Sequence, residues 1–225
     1  MKREKYCHTE PVEIMNEEQC PLCHSLSPEY FRDKKRSLLL CPFCKALFAG
    51  KNYLPDRDTE LIRYTEHNND VDDPRYQKFV QPITGSILRD FTPEERGLDF
   101  GAGTGPVISK LLQAKNYQIN QYDPFFHDNK ELLSQQYDYI ACCEVIEHFH
   151  RPDRDFSLLR GLLMPKGKLY CMTSIYNETI DLKTWYYKND LTHVFFYQEE
   201  TFYYISRKYG FSDIKIKDNL IILSV

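Results

Sequence analysis

The feature that most constrains the fold is the segment RGLDFGAGTGPVISKLLQ at residues 96–113. Within it, residues 98–100 (LDF) predict a short buried strand, GAGTG predicts a turn, and PVISKLLQ predicts a helix in which Pro106 suits the first turn. A strand, a glycine turn and a helix in this order begin a nucleotide-binding βαβ unit. Gly101 and Gly103 lack a Cβ atom, so the backbone of the turn can approach a ligand closely.

The spacing of the glycines separates two classes of cofactor. Dinucleotide-binding proteins carry G-x-G-x-x-G, whereas this chain reads D-F-G-A-G-T-G, with Asp99 ahead of the first glycine, a form typical of S-adenosylmethionine sites. The next predicted strand, YQINQYDP, ends near Asp123, where a carboxylate can accept hydrogen bonds from both hydroxyls of an adenosyl ribose. We therefore expect the turn (Asp99, Gly101, Ala102, Gly103) and Asp123 to bind or support S-adenosylmethionine.

Three further segments complete the α/β pattern. Residues 137–143 (YDYIACC) predict a buried strand, residues 167–174 predict another, and the closing stretch IKIKDNLIILSV predicts an antiparallel hairpin. Residues 91–225 are thus expected to form a Rossmann-like, doubly wound, mostly parallel seven-stranded sheet. Residues 1–50 are expected to form a small separate module, and residues 51–90 a helical connector or lid across the entrance of the larger domain.

Two CxxC units define the small N-terminal module. Their pattern is C-x2-C-x17-C-x2-C, a spacing expected of a four-cysteine zinc site. Two residues between thiolates let each pair present both sulfurs to one tetrahedral ion, and in a module this small the ion supplies much of the folding energy. The predicted structural zinc ligands are Cys20, Cys23, Cys41 and Cys44.

Charge and composition restrict the classes of function. The net charge is −4 over 225 residues, which does not favour broad nucleic-acid binding. The hairpin expected between the two CxxC units has a basic tip (Arg32, Lys34, Lys35, Arg36), which is expected to be solvated and leaves contact with nucleic acid as a weaker hypothesis. No apolar run follows the basic N-terminus and no 18-residue apolar stretch occurs, so we expect neither a signal peptide nor membrane insertion. Eight cysteines without an export signal indicate reduced thiols and a cytoplasmic location.

Residues 95–225 resemble the class I S-adenosylmethionine-dependent methyltransferases. LDFGAGTGP is similar to their first motif, and Asp123 matches their ribose-binding acid. EVIEHFHRP (144–152) resembles a motif of the O-methyltransferases of ubiquinone biosynthesis, and NDLTHVFFYQEETFYYISRKYGF is similar to a segment of bacterial methyltransferases that carry an N-terminal zinc ribbon. The resemblance implies a methyltransferase that acts on a small-molecule acceptor, at an oxygen atom.

The stretch EVIEH, at the carboxyl end of the strand 137–143, admits three interpretations. In the first, Glu144 lines the cofactor pocket, and Glu147 and His148 are polar groups of a first helical turn. In the second, Glu144, Glu147 and His148 share one helix face and bind Mg²⁺ or Mn²⁺. This set resembles metal-dependent catechol O-methyltransferases and enzymes that methylate the 2′-hydroxyl of small-RNA 3′ ends, and the resemblance implies His193 as a further ligand. In the third, His148 or His193 is a general base that Glu147 orients.

The catalytic candidates are therefore Glu147, His148 and His193, with Asp190 and Thr192 as candidates for orienting His193. Aromatic residues in the segment after the strand 167–174 can either stack on a planar acceptor or fill the core (Trp185, Tyr186, Tyr187, Phe195). The sequence leaves two alternatives to a small-molecule methyltransferase: a metal-dependent RNA 2′-O-methyltransferase that grips RNA with its zinc ribbon, and a catalytically silent zinc-ribbon binding module.

Overall fold

The computed structural model describes residues 16–66 and 69–225. The N-terminal stretch in which we expect no signal peptide lies outside these residues. The strands are β1 (Glu17–Gln19), β2 (Leu26–Arg32), β3 (Ser37–Leu40), β4 (Leu47–Ala49), β5 (Arg96–Phe100), β6 (Gln118–Tyr122), β7 (Tyr137–Cys143), β8 (Leu163–Met172), β9 (Phe195–Phe196), β10 (Asp213–Lys217) and β11 (Leu220–Ser224). The helices are α1 (Arg57–Thr65), α2 (Pro74–Phe79), α3 (Gln81–Asp90), α4 (Val107–Gln113), α5 (Pro152–Gly161) and α6 (Glu199–Tyr209).

The larger sheet has the strand order β10-β11-β8-β7-β5-β6. β6, β5, β7 and β8 are parallel, whereas β11 pairs antiparallel with β8 and β10 pairs antiparallel with β11, as the closing hairpin predicts. Side chains of β7 alternate between two cores: Tyr139 and Ala141 pack with α3 and α4, and Ile140 and Cys142 pack with α5 and α6. Helices therefore cover both faces, which is the doubly wound α/β arrangement.

The prediction of seven strands was wrong, because this sheet has six strands among the described residues. If strands and helices alternated along the whole chain, a further helix and strand would lie between β6 and β7, and this strand is the one that the structure lacks. Residues 123–136 connect these strands and contain one 3-10 turn, Lys130–Ser134. A parallel crossover needs a dozen or more residues by itself, so this connection has room to cross β5 but not to add a strand. β6 consequently forms the edge of the sheet.

The smaller sheet has the order β1-β2-β3-β4-β9 and is antiparallel. β2 and β3 form the hairpin expected between the two CxxC units. The fifth strand, β9, comes from the far end of the chain: Leu47 pairs with Phe196 and Phe48 with Phe195. The four-cysteine module and the segment after β8 are thus built into one sheet.

The connector contains three helices that serve different surfaces. α3 buries Ile83 and Ile87 against α4 and the larger sheet. α1 begins at Asp56, whose side chain accepts a hydrogen bond from the Thr59 amide, and it has no buried residue. Instead, α1 lies over the carboxyl ends of the parallel strands, where it forms one wall of a cavity. No helix among the described residues is both long and apolar enough to cross a membrane.

Candidate functional site

The glycine turn after β5 adopts the conformation that the sequence predicts. Gly101 and Gly103 have φ angles of 78° and 62°, in the left-handed region that favours glycine. A Cβ atom at Gly101 would lie 2.4 Å from a methyl group of Val145, so the turn also needs glycine there for packing. The amides of Gly101 and Ala102 donate to the carbonyl of Tyr122, which ties the turn to β6.

Asp99 supports this turn from inside the fold. Its carboxylate accepts hydrogen bonds from the Oγ of Ser109 at 2.8 Å and from the Ser109 amide at 3.3 Å, which connects β5 to the first turn of α4. Asp99 is 4% exposed and does not line the cavity. Burial raises the pKa of its carboxyl group from 3.8 to about 6.

Asp123 lies at the carboxyl end of β6 and does line the cavity. One oxygen of its carboxylate accepts from the Gly103 amide at 3.0 Å, and the other accepts from the amides of Phe125 and Phe126 at 2.8 and 3.1 Å. These backbone donors fix the carboxylate beside the glycine turn. A carboxylate fixed next to a close-approach turn offers the hydrogen-bond acceptors that an adenosyl ribose requires.

A cavity of about 1330 Å³ opens over this edge of the sheet. Its lining includes Gly101, Ala102, Gly103 and Asp123 at one end, and Glu144, His148, Tyr187 and His193 at the other. This volume exceeds the 300–1,000 Å³ that is usual for a pocket with one ligand. The cavity therefore has room for a nucleoside-sized cofactor and an acceptor side by side.

The connector closes the cavity over the glycine turn. A Cβ atom at Gly105 would lie 1.8 Å from the carbonyl oxygen of Asn69, so this segment packs directly on the turn. Asn69, Tyr76 and Phe79 line the cavity from the connector side, and so do residues of α1. Nearby, burial raises the pKa of the Tyr76 hydroxyl, which keeps it a neutral hydrogen-bond donor.

The chain turns sharply where β7 ends. Glu144 has a φ angle of 52°, a left-handed conformation that costs a non-glycine residue about 1 kcal/mol or more. The amide of Glu144 donates to the carbonyl of Met172, and a single 3-10 turn, Ile146–His148, follows. The expectation of one helix face shared by Glu144, Glu147 and His148 was therefore wrong, because an α-helix does not begin here.

Three of the predicted side chains nevertheless meet. One carboxylate oxygen of Glu147 and one ring nitrogen each of His148 and His193 lie within 4.8 Å of one another. Glu144, the fourth member of the predicted set, lies outside this group. The Tyr187 hydroxyl donates to Glu147 at 2.6 Å and lies 3.1 Å from a carboxylate oxygen of Glu144, so it connects the two acids.

The backbone fixes the orientation of both imidazole rings. The Nδ1 atom of His148 lies 2.9 Å from the carbonyl of Thr192, and the Nδ1 atom of His193 lies 2.8 Å from the carbonyl of Tyr187. A carbonyl can only accept, so Nδ1 carries a proton in each ring, and in a neutral ring Nε2 then carries the lone pair. The ring centroids are 4.8 Å apart. Burial, followed by the neighbouring His193, lowers the pKa of His148 to about 3, so His148 is neutral at pH 7.

Glu147 is completely buried, and it does not line the cavity. Burial raises its pKa to about 8, with a further contribution from the charge of Glu144, and burial likewise raises the pKa of Glu144 to about 7. The Oε2 atom of Glu147 has no hydrogen-bond partner among the described residues. An orphaned buried carboxylate oxygen beside two imidazole ring nitrogens fits a bound cation, because such an oxygen otherwise costs about 1–3 kcal/mol.

The loop that carries His193 is held by a network of hydrogen bonds. Asp190 accepts from the Thr192 amide at 3.0 Å and from the Thr192 hydroxyl, and its other oxygen accepts from Arg63 of α1 at 2.8 Å. These contacts hold the pKa of Asp190 well below its usual range, although its burial acts in the opposite direction. Asp190 and Thr192 thus shape the loop that carries His193, whereas the ring contact that orients His193 is with the carbonyl of Tyr187. That Asp190 and Thr192 orient His193 stays a prediction.

The aromatic candidates divide into two groups. Tyr186 and Tyr187 line the cavity, and Tyr186 is 74% exposed. Trp185 and Phe195 are buried and do not line it; the ring of Trp185 packs at 5.6 Å from that of Tyr187 and so backs it. Sequence reasoning did not assign Tyr187 to the two acids, nor Arg63 and Asn69 to the cavity wall. The spacing of acidic and basic residues in α1 does not indicate that Arg63 lines a cavity.

The four cysteines of the N-terminal module also meet. The Sγ atoms of Cys20 and Cys44 are 3.6 Å apart, those of Cys23 and Cys41 are 3.3 Å apart, and all four lie within 4.8 Å of one another. The two CxxC turns have the same backbone pattern: the amides of His24 and Lys45 donate to Cys20 and Cys41, and both donors have positive φ angles. Four convergent sulfurs on two like turns fit a tetrahedral zinc ion.

Comparisons with known proteins agree with this fold. Residues 56–216 match a family described as "Methyltransferase domain", which covers more than half of the chain. The chain belongs to this family, and its enzyme class is that of the S-adenosylmethionine-dependent methyltransferases. The ubiquinone-biosynthesis likeness and the zinc-ribbon subgroup remain expectations. Comparison with curated protein sequences gives no match.

Solved structures resemble the chain at low sequence identity and therefore show the fold alone. A S-adenosylmethionine-dependent methyltransferase from Archaeoglobus fulgidus is 18% identical, with a TM-score of 0.52 over 66% of this chain and 94% of that one. Human N-acetylserotonin methyltransferase in complex with S-adenosylmethionine is 12% identical, with a TM-score of 0.52 over 76% of this chain and 60% of that one. The chain covers 66% of an O-methyltransferase family protein from Burkholderia thailandensis, at 13% identity and a TM-score of 0.47.

Proposed function

We propose that the protein transfers the methyl group of S-adenosylmethionine to an oxygen atom of a small acceptor, in a site that binds a divalent cation through Glu147, His148 and His193. The observation that carries this proposal is the convergence of one buried carboxylate and two oriented imidazoles beside the cavity that holds the glycine turn. The proposed cofactor ligands are Gly101, Ala102, Gly103 and Asp123, with Asp99 supporting the turn and Glu144 between cofactor and acceptor.

The donor set favours some ions over others. One carboxylate and two imidazoles suit Mn²⁺ better than Mg²⁺, because Mg²⁺ prefers oxygen ligands and retains several waters. A cation in this position would lower the pKa of an acceptor hydroxyl and orient it. An acceptor with two adjacent oxygens, such as a catechol or a vicinal diol, gives the chelate that such an ion binds best.

The protein's own groups would position the reactants. Asp123 and the glycine turn fix the adenosyl end, while Tyr186 and Tyr187 present aromatic surface at the acceptor end. In the transfer itself, the methyl carbon breaks its bond to the sulfonium sulfur and forms a bond to the acceptor oxygen. S-adenosylhomocysteine is the leaving group, and the hydroxyl proton passes to solvent. Because this is a single displacement, the main tasks left to the protein are alignment and deprotonation. Glu147 lies outside the cavity lining, so we assign it to the ion and not to direct contact with the acceptor.

The nucleic-acid hypothesis is weaker than it was from the sequence. Of the four basic residues at the hairpin tip, Arg32, Lys34 and Lys35 are exposed, but Arg36 is buried with 1% exposure. The expectation that the whole tip is solvated was therefore wrong for Arg36, and the surface available to a phosphate backbone loses one of its charges.

The test is a calorimetric titration of MnCl₂ into zinc-loaded protein saturated with S-adenosylhomocysteine, repeated with MgCl₂. We expect one saturable site, lost in Glu147→Gln and in His193→Asn. His150→Gln is the matched control, because His150 is also at this edge of the sheet but pairs with Glu60 at 3.0 Å outside the three-residue group. Normal binding of S-adenosylhomocysteine without any Mn²⁺ or Mg²⁺ site would refute the cation and leave a metal-free methyltransferase.

A further inference from the structure

Arg36 is the one basic residue of the hairpin between β2 and β3 that points inward. Its Nη1 atom donates to the carbonyl of His193 at 2.9 Å, and its Nη2 atom donates to the carbonyls of Leu191 at 3.0 Å and Asp190 at 3.2 Å. Its guanidinium also lies over the ring of Phe196, 5.9 Å from the centroid. A guanidinium is costly to bury, and here it converges on three backbone carbonyls of one short loop.

A second contact joins the same hairpin to the same loop. The ammonium group of Lys188 is 2.8 Å from a carboxylate oxygen of Asp33, and the Lys188 side chain is 5% exposed. Asp33 also accepts from the amides of Lys35 and Arg36, which closes the hairpin turn. The hairpin therefore contacts the loop at two places, at Lys188 and at residues 190–193.

This loop supplies the carbonyls that orient the two imidazoles. The carbonyl of Tyr187 accepts a hydrogen bond from Nδ1 of His193, and the carbonyl of Thr192 accepts one from Nδ1 of His148. The loop is anchored below by the Val194 amide, which donates to the carbonyl of Glu147 at 2.9 Å. A shift of the loop would thus move both imidazole rings relative to the carboxylate of Glu147.

The four-cysteine module connects to the loop by a short path. β4 begins three residues after Cys44 and pairs with β9, which begins two residues after His193. The Ala49 amide donates to the carbonyl of Val194 at 2.9 Å, so this pairing extends to the residue after His193. The β2–β3 hairpin therefore contacts the loop itself, and β4 pairs with the residues that follow it.

We propose that Arg36 is a positioning residue that holds the 187–193 loop and thereby sets the geometry of Glu147, His148 and His193. The N-terminal module then holds the loop at the acceptor end of the cavity, and the exposed basic side chains of its tip (Arg32, Lys34, Lys35) are not required for this role. The part of this inference that concerns cation binding rests on the proposed function, whereas the part that concerns the loop does not.

The experiment compares Arg36→Met and Arg36→Lys with Lys35→Met, an exposed neighbour on the same hairpin. Four quantities are measured on each zinc-loaded protein: zinc content, affinity for S-adenosylhomocysteine, affinity for Mn²⁺, and amide hydrogen exchange of peptides that span residues 187–197 and 137–143. In Arg36→Met we expect at least tenfold faster exchange in 187–197 and at least tenfold weaker Mn²⁺ binding. Zinc content, S-adenosylhomocysteine affinity and exchange in β7 should stay within twofold of wild type.

The conservative variant separates positioning from simple structural support. Arg36→Lys keeps the charge but loses the planar fork, so we expect partial protection of the loop and an intermediate Mn²⁺ affinity. Lys35→Met should behave as wild type in all four measurements.

Three outcomes would overturn the inference. Unchanged exchange in Arg36→Met would show that Arg36 does not hold the loop. Faster exchange with unchanged Mn²⁺ affinity would show that the loop does not set the ligand geometry. A parallel loss of zinc, S-adenosylhomocysteine binding and β7 protection in both Arg36 variants would assign Arg36 to general stability. If wild type binds no Mn²⁺, the cation proposal fails, and the exchange data still decide whether Arg36 holds the loop.

Discussion

Asp99→Asn tests whether ionisation of the buried Asp99 carboxyl group, which supports the glycine turn, lowers the free energy of unfolding. The Asp99 carboxyl group is 4% exposed, and burial raises its pKa from 3.8 to about 6, while Ser109 and the more distant His127 oppose the rise and Asp123 adds to it. Because the folded pKa exceeds the unfolded one, the folded state binds the proton more tightly. Its contribution to stability is fully present below pH 3.8 and is lost as the pH rises through about 6.

The size of this effect follows from the pKa difference. One pKa unit corresponds to about 1.4 kcal/mol, so ionisation of Asp99 lowers the free energy of unfolding by about 3 kcal/mol in total. About half of this, roughly 1.4 kcal/mol, is lost between pH 5 and pH 8. An asparagine keeps an acceptor for Ser109 and cannot ionise, so the variant lacks this slope.

The assay is urea unfolding of zinc-loaded wild type and Asp99→Asn at several pH values from 5 to 8. We expect the difference in unfolding free energy to move in favour of the variant by about 1.4 kcal/mol across this window. Asp128→Asn, at an exposed carboxyl group, should leave the pH profile of the wild type unchanged. Parallel profiles for wild type and Asp99→Asn would refute the reasoning, because the buried carboxyl group would then carry no charge-dependent cost.

Three further changes test the other parts of the site. Asp123→Ala should weaken S-adenosylhomocysteine binding at least tenfold in calorimetry, since a charge-assisted hydrogen bond contributes about 1.5–3 kcal/mol, and an unchanged affinity would remove Asp123 from the ribose site. Gly105→Ala should weaken the same binding at least tenfold by displacing Asn69, whereas Gly161→Ala, which meets nothing within 4 Å, should bind normally; equal affinity in both would contradict the packing argument. Cys41→Ser should lower the zinc content and the melting temperature together, and full zinc occupancy in this variant would contradict the four-cysteine site.

The placement of the glycine turn beside Asp123 could be predicted because these residues come from consecutive local patterns. A strand, a glycine turn and a helix follow one another without a gap, and Asp123 ends the next strand along the chain. Parallel strands bring their carboxyl ends to one edge of a sheet, so the sequence order alone places the turn beside Asp123. The two CxxC units were predictable for a similar reason, since each is a complete local turn.

The arrangement of Glu144, Glu147, His148 and His193 could not be predicted to the same degree because it depends on contacts between distant segments. Glu144 lies outside the group formed by Glu147, His148 and His193 because its backbone is left-handed. The preferences of its residue type do not predict this conformation. Arg36 and His193 are far apart in the sequence, and a basic residue at a hairpin tip is usually solvated. The absence of the predicted seventh strand could have been inferred from the sequence, because residues 123–136 are too few to form both a helix and a strand.

The two ends of the cavity imply different freedom to change. The turn and Asp123 are held by hydrogen bonds to residues of the turn and of β6, and the segment after β8 supplies none of these bonds. The loop with His193 is held by backbone carbonyls that the N-terminal hairpin binds, and a carbonyl contact depends on loop length and shape more than on side-chain identity. Replacement of the 187–193 loop by one of different length or shape would therefore leave the buried guanidinium of Arg36 without its acceptors, whereas exchange of the loop together with its hairpin would preserve them. Redesign of acceptor choice on this scaffold should treat the hairpin and the loop as one unit.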